Sequence, residues 1–433
     1  MAPRDAEGSR RSSPAGLNQP RAAVVVTGSE LTRGGRQDAN GPFLARELAA
    51  RGLEPARIVV VGDRPEELER AFAEGLRADL LVISGGLGPT HDDRTVEVLA
   101  RASGRAVAVD ERLASEIEAF SRALAERYRR PYAEFEEGVR KQASLPDGAT
   151  ILGLAGTAPG FLLEVDGSVA VALPGPPGEL QRLWTKALAA EPVRRMLERA
   201  QAPQRRVLRF FGVSESAVAR AVAEAGGEPE GVEATICAHG GEIEVLLLGR
   251  DTRLADALRK SLGGHLFAED ERPVEELVLQ AAREAGLTIV AAESCTGGLV
   301  STRLTSVAGS SDVFRGGIVA YENDVKLAQL AVPGEILAAH GAVSAETAAA
   351  MATGARAALG SDVAVAVTGI AGPGGGTPEK PVGLVFLHTS SPFGERASEL
   401  HLHGGREQIR RRAATAALHL VRRALTQNRD EAA

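Results

Sequence analysis

The sequence contains few aromatic residues, few cysteines and no excess of basic charge. Aromatic residues make up 3% of the 433 residues, so stacking platforms for single-stranded nucleic acid are not expected. The two cysteines, Cys237 and Cys295, are too few for a disulfide framework. The formal net charge of −7 gives no general attraction to nucleic acid or to anionic membranes. The sequence therefore favours small molecules as partners.

Long apolar runs are also absent. No run approaches the roughly 18 residues of a membrane span, and residues 1–20 lack the apolar core of a signal peptide. We therefore expect a cytoplasmic protein that begins with a disordered leader at residues 1–20. A length of 433 residues is too great for one hydrophobic core and predicts two or three domains.

Three stretches with different patterns of predicted strands and helices follow the leader. Residues 21–190 alternate short apolar strands with helical patterns, which predicts an α/β domain with a doubly wound parallel sheet. Residues 203–268 predict a small α+β middle domain, and residues 273–427 predict a second α/β domain. The last helix is expected to carry four arginines on its solvated side, namely Arg410, Arg411, Arg422 and Arg423.

The first domain carries a glycine-rich, acidic loop, SGGLGPTHDDRT, at residues 84–95. This loop follows a predicted strand, and doubly wound sheets bind ligands at the carboxyl ends of their strands. The neighbouring carboxylates of Asp92 and Asp93 would repel a free diphosphate. Either they hold a divalent metal ion such as Mg²⁺, which bridges to phosphate oxygens, or they accept hydrogen bonds from an uncharged polar ring. A turn with a helix-capping aspartate is the simplest alternative.

In the third domain an apolar strand ends in the stretch AAESCTGG, residues 291–298. If a helix begins just after Glu293, three backbone N–H groups have no intrahelical partners and suit an oxyanion or a phosphate, those of Thr296, Gly297 and Gly298. Ser294 would then attack a carbonyl carbon while these groups hold the developing negative charge. Two alternatives remain open: Cys295 as the nucleophile, or a turn that only caps a helix.

A serine nucleophile needs a base, and the segment YENDVK offers Lys326. Asn323 or Asp324 is a natural N-cap, which places Lys326 in the first helical turn. A cation there opposes the helix macrodipole by about 0.3–1 kcal/mol, which lowers the lysine pKa by less than about one unit. Partial burial would have to supply the rest. Tyr321 is expected to orient the lysine or relay the proton, and an ordinary surface lysine is the alternative.

A second glycine-rich loop follows another apolar strand in the stretch VAVAVTGIAGPGGGTPEKPVG. The strand ends at Thr368 and Gly369. The loop exposes backbone N–H groups that can bind a phosphate, at Gly372, Gly374, Gly375 and Gly376. Lys380 and Arg406 are candidate cations for that anion. The loop is not a P-loop, because the spacing GxxxxGK[ST] is absent, and a flexible linker is the alternative.

At these motifs the chain resembles the CinA family, named for competence/damage-inducible protein A. The resemblance extends from Arg21 to the last helix and is strongest at GGLGPTHDDRT, at AAESCTGGLVSTRLTSVAGSSDVFRGGIVAYENDVK and at VTGIAGPGGGTPEKPVG. It implies a first domain like the molybdopterin-binding fold of molybdenum-cofactor biosynthesis proteins, then a small middle domain. It implies a C-terminal nicotinamide mononucleotide deamidase domain, and it suggests a homodimer.

The resemblance implies an activity in pyridine-nucleotide salvage that needs no cofactor. The carboxamide of nicotinamide mononucleotide is hydrolysed to nicotinic acid mononucleotide and ammonia. Four family residues carry over as catalytic positions, namely Ser294, Lys326, Tyr321 and Thr368, and the serine is favoured over Cys295. Eight residues are expected to bind the substrate or its phosphate: Thr296, Gly297, Gly298, Gly369, Gly372, Gly374, Gly375 and Arg406.

Some family members also hydrolyse ADP-ribose with a divalent metal in the first domain. The matching site here comprises Glu30, Asp38, Asn40, Gly85, Gly86, Gly88, Thr90, Asp92, Asp93 and Thr95, with Asp92 and Asp93 as metal ligands. The chain departs from the common family pattern at residues 28–34, which read GSELTRG, and at residues 136–139, which read EEGV. The alternative function is a molybdopterin-binding, nucleotide-binding or regulatory protein without amidase activity.

Overall fold

The computed structural model describes residues 19–200 and 204–430, so that residues 1–18 of the predicted leader lie outside the described residues. The chain divides into two compact units, Met1–Gln204 and Arg205–Ala433. Within the described ranges, no helix combines the length and the hydrophobicity that crossing a membrane requires.

The first unit is built on a six-stranded sheet. The unit has eight strands in all: β1 (Arg21–Thr27), β2 (Glu54–Val61), β3 (Leu80–Ser84), β4 (Val107–Val109), β5 (Ser144–Pro146), β6 (Thr150–Leu154), β7 (Pro159–Val165) and β8 (Ser168–Leu173). The order in the sheet is β2-β1-β3-β8-β7-β6, and β4 pairs with β5 separately. Strands β2, β1, β3 and β8 are parallel, whereas β7 and β6 run antiparallel to their neighbours. The sheet was predicted to be parallel, and the structure shows that it is parallel only in part.

Helices cover both faces of this sheet. They are α1 (Ser29–Thr32), α2 (Asn40–Ala50), α3 (Pro65–Gly75), α4 (Thr95–Ala102), α5 (Glu111–Tyr128), α6 (Ala133–Gln142), α7 (Pro177–Ala189) and α8 (Glu191–Arg199). Successive strand residues point to opposite faces, so Val24 lies in a core with residues of α2 and α7. Val25 lies in a second core with residues of α3 and α5. The predicted doubly wound α/β fold is confirmed.

The second unit contains two sheets, and the first of them is small and antiparallel. Its strands are β9 (Arg205–Phe211), β10 (Glu233–His239), β11 (Glu242–Leu248) and β12 (Leu266–Ala268), in the order β10-β11-β9-β12. The helices α9 (Glu215–Glu224) and α10 (Arg253–Leu262) share a core with one face of this sheet. The segment has the α+β character that the sequence predicts.

The second sheet of this unit has five strands. They are β13 (Ile289–Glu293), β14 (Phe314–Val319), β15 (Val363–Gly369), β16 (Leu384–Ser391) and β17 (Gly394–His401), in the order β14-β13-β15-β16-β17. Strands β14, β13 and β15 are parallel, and β16 and β17 are antiparallel. The helices are α11 (Val274–Ala285), α12 (Leu299–Thr305), α13 (Asn323–Leu330), α14 (Gly334–His340), α15 (Ala345–Leu359) and α16 (Arg406–Asp430). Because the three parallel strands end at one edge, the segments that follow them lie side by side.

The last helix, α16, joins the two sheets of the second unit. The ring of His419 stacks on Phe211 with a centroid distance of 3.8 Å. Its Nε2 atom lies 2.8 Å from a carboxylate oxygen of Glu242 on β11. Both side chains are buried, and burial lowers the pKa of His419 to about 4. The middle and C-terminal segments therefore belong to one compact unit.

A glycine in α15 allows close approach of α13, the helix that carries Lys326. A Cβ atom on Gly354 would lie 1.8 Å from the carbonyl oxygen of Leu330. We expect Gly354→Ala to destabilise the protein by about 1–3 kcal/mol, because the backbone of α13 or of α15 would have to move to relieve the clash. Thermal unfolding followed by circular dichroism measures the shift. Gly334→Ala is the control, because its Cβ atom would meet only Leu327, at 3.8 Å. An unchanged transition in Gly354→Ala would contradict this packing.

Candidate active site

The predicted nucleophile and the predicted base are in contact. Ser294 is the residue after β13, and its side chain lies at the edge where the parallel strands end. Lys326 is the fourth residue of α13, and it is only 1% exposed. The Nζ atom of Lys326 lies 3.2 Å from the Oγ atom of Ser294. An ordinary surface lysine is thereby excluded.

Two backbone carbonyls hold the Lys326 amine in this position. Its Nζ atom donates to the carbonyl oxygens of Ala320, at 2.9 Å, and Tyr321, at 3.0 Å. Burial lowers the pKa of Lys326, against the opposing charge of Glu322. A neutral amine keeps two N–H groups and one lone pair. The two carbonyls accept the N–H groups, so the lone pair is left for the hydroxyl proton of Ser294.

The helix around Lys326 begins differently from the prediction. Glu322 occupies the N-cap position, and it makes no side-chain capping hydrogen bond. Neither Asn323 nor Asp324 is the N-cap, since both lie inside α13. Burial is the largest cause of the lowered lysine pKa. The burial that the prediction required is therefore present, whereas the contribution of the helix terminus stays a prediction.

Cys295 is a poor candidate for the nucleophile. Its side chain is 5% exposed, and burial raises the pKa of the thiol to about 12. Since the thiolate is the reactive form, almost none of it exists near neutral pH. The structure favours Ser294.

The turn after the nucleophile corrects one prediction. The helix α12 begins only at Leu299, and two of the three backbone N–H groups expected to be free have partners. Gly297 donates to the carbonyl oxygen of Ser294 at 3.0 Å, and Gly298 donates to the Glu293 carboxylate at 3.0 Å. Among the described residues, the backbone N–H of Thr296 has no acceptor. Only Thr296 of the three remains a candidate for holding an oxyanion.

The hydroxyls of Tyr321 and Thr368 contact groups other than Ser294 and Lys326. The Tyr321 side chain is 53% exposed, and its hydroxyl accepts a hydrogen bond from Arg406 at 2.8 Å. It is the Tyr321 carbonyl, rather than the hydroxyl, that contacts Lys326. The buried hydroxyl of Thr368 donates to the carbonyl oxygen of Ala342 at 2.6 Å. In this structure Thr368 therefore ties β15 to a neighbouring loop and does not bond to Ser294.

The second glycine-rich loop lies beside Arg406. The guanidinium of Arg406 donates to the carbonyl oxygen of Gly372 at 2.7 Å, which connects this loop to α16. The Nζ atom of Lys380 donates to the carbonyl oxygens of His340 and Val343, at 2.6 and 2.7 Å. Lys380 thus holds a backbone segment, and Arg406 is the stronger candidate for binding a phosphate. Gly369 has a packing role, because a Cβ atom there would lie 2.7 Å from the Leu384 carbonyl oxygen.

Sequence reasoning missed two residues at this site. Glu293 is fully buried and binds the turn after the nucleophile through its carboxylate. Arg410 is half-buried and donates to the carbonyl oxygen of Thr296 at 2.7 Å. Its expected place on a solvated helix face is wrong, and of the four arginines only Arg411 is exposed. The sequence did contain a signal for this placement: Arg410 lies four residues after Arg406 and therefore on the same face of the helix.

The first unit contains a separate cavity of about 660 Å³. It opens at the carboxyl ends of β1, β3 and β8. Eight of the ten residues predicted for this unit line it: Glu30, Asp38, Asn40, Gly85, Gly86, Gly88, Asp92 and Asp93. Thr90 and Thr95 are not part of its lining. Thr95 instead supports the glycine loop by donating to the carbonyl oxygen of Gly85 at 2.7 Å.

The two adjacent aspartates are organised by Thr90. The Thr90 hydroxyl lies within hydrogen-bonding distance of both carboxylates, and the Thr90 backbone N–H donates to Asp93 at 2.9 Å. The hydrogen bond between the Thr90 hydroxyl and Asp92 lowers the pKa of Asp92. Among the described residues, no group of three or more histidine, cysteine, aspartate or glutamate side chains is placed to hold a metal ion. A pair of carboxylates still fits Mg²⁺, which often takes one or two and keeps several waters, so the metal site stays a prediction.

Other polar residues of this cavity have structural partners. Asp38 accepts hydrogen bonds from the backbone N–H groups of Asn40 and Gly41, at 2.9 and 3.0 Å, and so begins α2. The buried Asn40 amide donates to Ser84 at 2.9 Å and to the Gly175 carbonyl oxygen at 2.7 Å. Four acidic or amide residues of the lining were missed, of which the last three come from separate loops and helices: Gln37, Asp63, Gln142 and Glu179.

Comparisons with known proteins cover both units. The probable molybdopterin binding domain matches residues 23–193, and the CinA C-terminal domain matches residues 271–425. The CinA-like protein of Mycolicibacterium gilvum is 44% identical over 422 residues, which span 94% of this chain and 99% of that protein. The CinA-like protein of Mycobacterium avium is 42% identical over 430 residues, spanning 94% of this chain and 98% of that protein.

A solved structure matches part of the chain. It is the competence/damage inducible protein CihA from Agrobacterium tumefaciens, with 44% identity and a TM-score of 0.34. The match spans 36% of this chain and 97% of that chain. Because the CinA-like relatives are 42–44% identical over 94% of its length, the chain belongs to the CinA family.

Proposed function

We propose that this protein hydrolyses the carboxamide of nicotinamide mononucleotide to nicotinic acid mononucleotide and ammonia. The observation that carries the proposal is the 3.2 Å contact between a buried lysine amine, Lys326, and the hydroxyl of Ser294. A serine activated by an adjacent base is the arrangement that acyl transfer requires. Membership of the CinA family supports this choice of substrate.

In the first half of the reaction, the neutral amine of Lys326 takes the hydroxyl proton of Ser294. The Oγ atom then bonds to the carboxamide carbon, and the carbonyl oxygen becomes an oxyanion. When the oxyanion collapses, the C–N bond breaks and the leaving nitrogen takes the proton from Lys326. The products of this half are free ammonia and an ester between Ser294 and the nicotinoyl group.

In the second half, water replaces ammonia and the same groups work in reverse. Lys326, neutral again, takes a proton from a water molecule that attacks the ester carbon. The bond to Oγ breaks, and Lys326 returns the proton to Ser294. The nicotinate carboxylate leaves, its remaining proton passing to ammonia or solvent. The overall reaction consumes one water molecule for each amide bond broken.

Two further groups are assigned to charge stabilisation. The free backbone N–H of Thr296 is proposed to donate to the oxyanion, where a single donor contributes about 2.7–4 kcal/mol in comparable sites. The guanidinium of Arg406 is proposed to bind the 5′-phosphate, together with backbone N–H groups of the loop 372–376. Arginine presents several N–H groups in one plane, which suits a phosphate. The hydroxyl of Tyr321 holds Arg406 at 2.8 Å.

Ammonia release from nicotinamide mononucleotide by the full chain tests the proposal. Nicotinic acid mononucleotide, measured by chromatography, should appear in equal amount. Nicotinamide riboside, which lacks the phosphate, should be a much poorer substrate if Arg406 binds that group. Absence of both products would contradict the proposal and favour a binding or regulatory protein.

We also propose a second activity, the hydrolysis of ADP-ribose in the first unit. The observation that favours it is the cavity, whose lining contains six acidic side chains but one arginine, Arg36. Such a lining repels a bare diphosphate, so a divalent cation held by Asp92 and Asp93 would have to neutralise the charge of the substrate. An uncharged pterin-like ring is the other ligand that this lining would accept.

A chelator should separate the two activities. Ser294 and Lys326 supply the nucleophile and the base, so we expect deamidation to be unchanged by EDTA. ADP-ribose cleavage should disappear with EDTA and in Asp93→Ala, as measured by release of adenosine monophosphate. The control is Asp147→Ala, an exposed aspartate on a turn outside the cavity. Loss of deamidation in EDTA would contradict the assignment of the two activities to separate sites.

A further inference from the structure

A buried carboxylate lies directly before the proposed nucleophile, and the reaction scheme above gives it no role. Glu293 is the last residue of β13, and its side chain is 0% exposed. One carboxylate oxygen accepts the backbone N–H groups of Gly298 and Val300, both at 3.0 Å. The other accepts the backbone N–H and the hydroxyl of Ser301, at 2.8 and 2.7 Å. Both oxygens are thus committed to the turn and to the start of α12.

These contacts close the anion site that the glycine turn would otherwise offer. A helix N-terminus attracts anions through its unpaired N–H groups. Here the chain's own carboxylate uses those groups, so a substrate phosphate has to bind elsewhere. The turn is also held at its other end, because the backbone N–H of Ser294 donates to the Val367 carbonyl oxygen at 2.9 Å.

The backbone of Glu293 also reaches the base. Its carbonyl oxygen accepts the backbone N–H of Ala320 at 2.8 Å. The carbonyl oxygen of Ala320 in turn accepts Lys326 Nζ at 2.9 Å. One residue therefore contacts the segment that carries the nucleophile and the segment that holds the base.

We infer that Glu293 is a positioning residue, whose carboxyl oxygens fix the Ser294 turn against Lys326 by accepting four hydrogen bonds. This inference rests on the proposed deamidation. A neighbouring glycine is consistent with it: a Cβ atom on Gly317 would lie 2.1 Å from the Ser301 hydroxyl, which is one of the groups that Glu293 holds. The strand β14 leaves the space that this hydroxyl needs.

Substitution by the isosteric amide tests the charge. In Glu293→Gln, an NH₂ group would face backbone N–H donors, so the turn should shift. A displacement of about 1 Å at the reacting atoms costs up to about a hundredfold, and we expect kcat to fall by roughly tenfold to a hundredfold. KM should change little, because the phosphate binds elsewhere. Glu335→Gln, an exposed glutamate on α14, is the control and should keep normal kcat.

Chemical rescue separates positioning from general stability. Glu293→Ala should be at least as impaired as the amide variant, and added formate should restore activity because a small carboxylate can occupy the vacated space. A second readout is the rate at which phenylmethanesulfonyl fluoride labels Ser294, which needs no nucleotide. Labelling should slow in both variants and should recover with formate only in Glu293→Ala, because the amide variant leaves no space for it. Circular dichroism and thermal unfolding establish that each variant is folded.

The outcomes distinguish this inference from the proposed function. A folded Glu293→Gln protein with normal kcat and normal labelling overturns the inference alone. A wild-type protein that releases no ammonia overturns the proposed function, and the labelling rates then decide about Glu293. If neither Glu293 variant folds, Ser301→Ala decides, since it removes only one of the four hydrogen bonds. Unchanged labelling in a folded Ser301→Ala protein would then count against the inference.

Discussion

Replacing Ser294 by alanine is expected to lower kcat for ammonia release from nicotinamide mononucleotide by at least about a thousandfold, as loss of an essential nucleophile does. The Ser294 hydroxyl is the group that Lys326 contacts, at 3.2 Å. Without Oγ no acyl intermediate can form, whereas substrate binding keeps its other contacts. KM should therefore change far less than kcat. Steady-state kinetics of ammonia release measures both constants.

The matched control lies one position further along the chain. Cys295→Ala should keep most of the activity, because burial raises the pKa of this thiol to about 12 and leaves it protonated. Thermal unfolding will show whether loss of the buried sulfur destabilises the variant, so that rates can be expressed per folded molecule. An inactive Cys295→Ala beside an active Ser294→Ala would reverse the assignment of the nucleophile.

Replacing Lys326 by arginine is expected to abolish nearly all activity, although the positive charge is kept. A guanidinium does not lose its proton in the accessible pH range, so it cannot accept the proton of Ser294. The longer, planar group must also fit a site in which lysine is 1% exposed. We expect a loss comparable to that of Ser294→Ala, of the order of a thousandfold. Lys260→Arg, at an exposed position of α10, is the control.

The pH dependence gives an independent measure of the same group. Burial lowers the pKa of Lys326 from the ordinary lysine value of 10.5. The neutral amine is the active form, so kcat/KM should be low where the amine is protonated and should rise with pH through this lowered pKa. A profile that falls over this range, or full activity in Lys326→Arg, would mean that the residue supplies only positive charge.

The fold could be predicted where apolar residues form short, unbroken runs. The strands β1, β3 and β15 are buried along nearly their whole length, and the sequence shows this directly. The strand β17 was missed because it lies at a sheet edge. Its residues alternate between exposed and partly buried positions, and the sequence there is largely polar. The antiparallel direction of β7 was missed for another reason. It depends on the tight turn at Asp166 and Gly167, which joins β7 to β8, and not on hydrophobicity.

The candidate site could be predicted only in its residue types. Motif spacing identified Ser294 and Lys326, and the contact between them agrees with that prediction. The use of each backbone N–H could not be predicted, because it depends on where the Glu293 side chain turns within a buried space. The reach of Arg410 to the Thr296 carbonyl oxygen likewise depends on how α16 packs against α12. Such contacts depend on three-dimensional packing, and the local amino-acid sequence does not predict them.

The environments of the two thiols determine how the protein meets oxidants. Cys295 is buried and protonated beside the nucleophile, and a protonated thiol reacts slowly with peroxide or alkylating agents. Cys237 is exposed on β10, in the middle segment. We therefore expect oxidants to reach Cys237 before Cys295. If Ser294 is the nucleophile, as we propose, the cysteine next to it in sequence is the less readily oxidised of the two thiols.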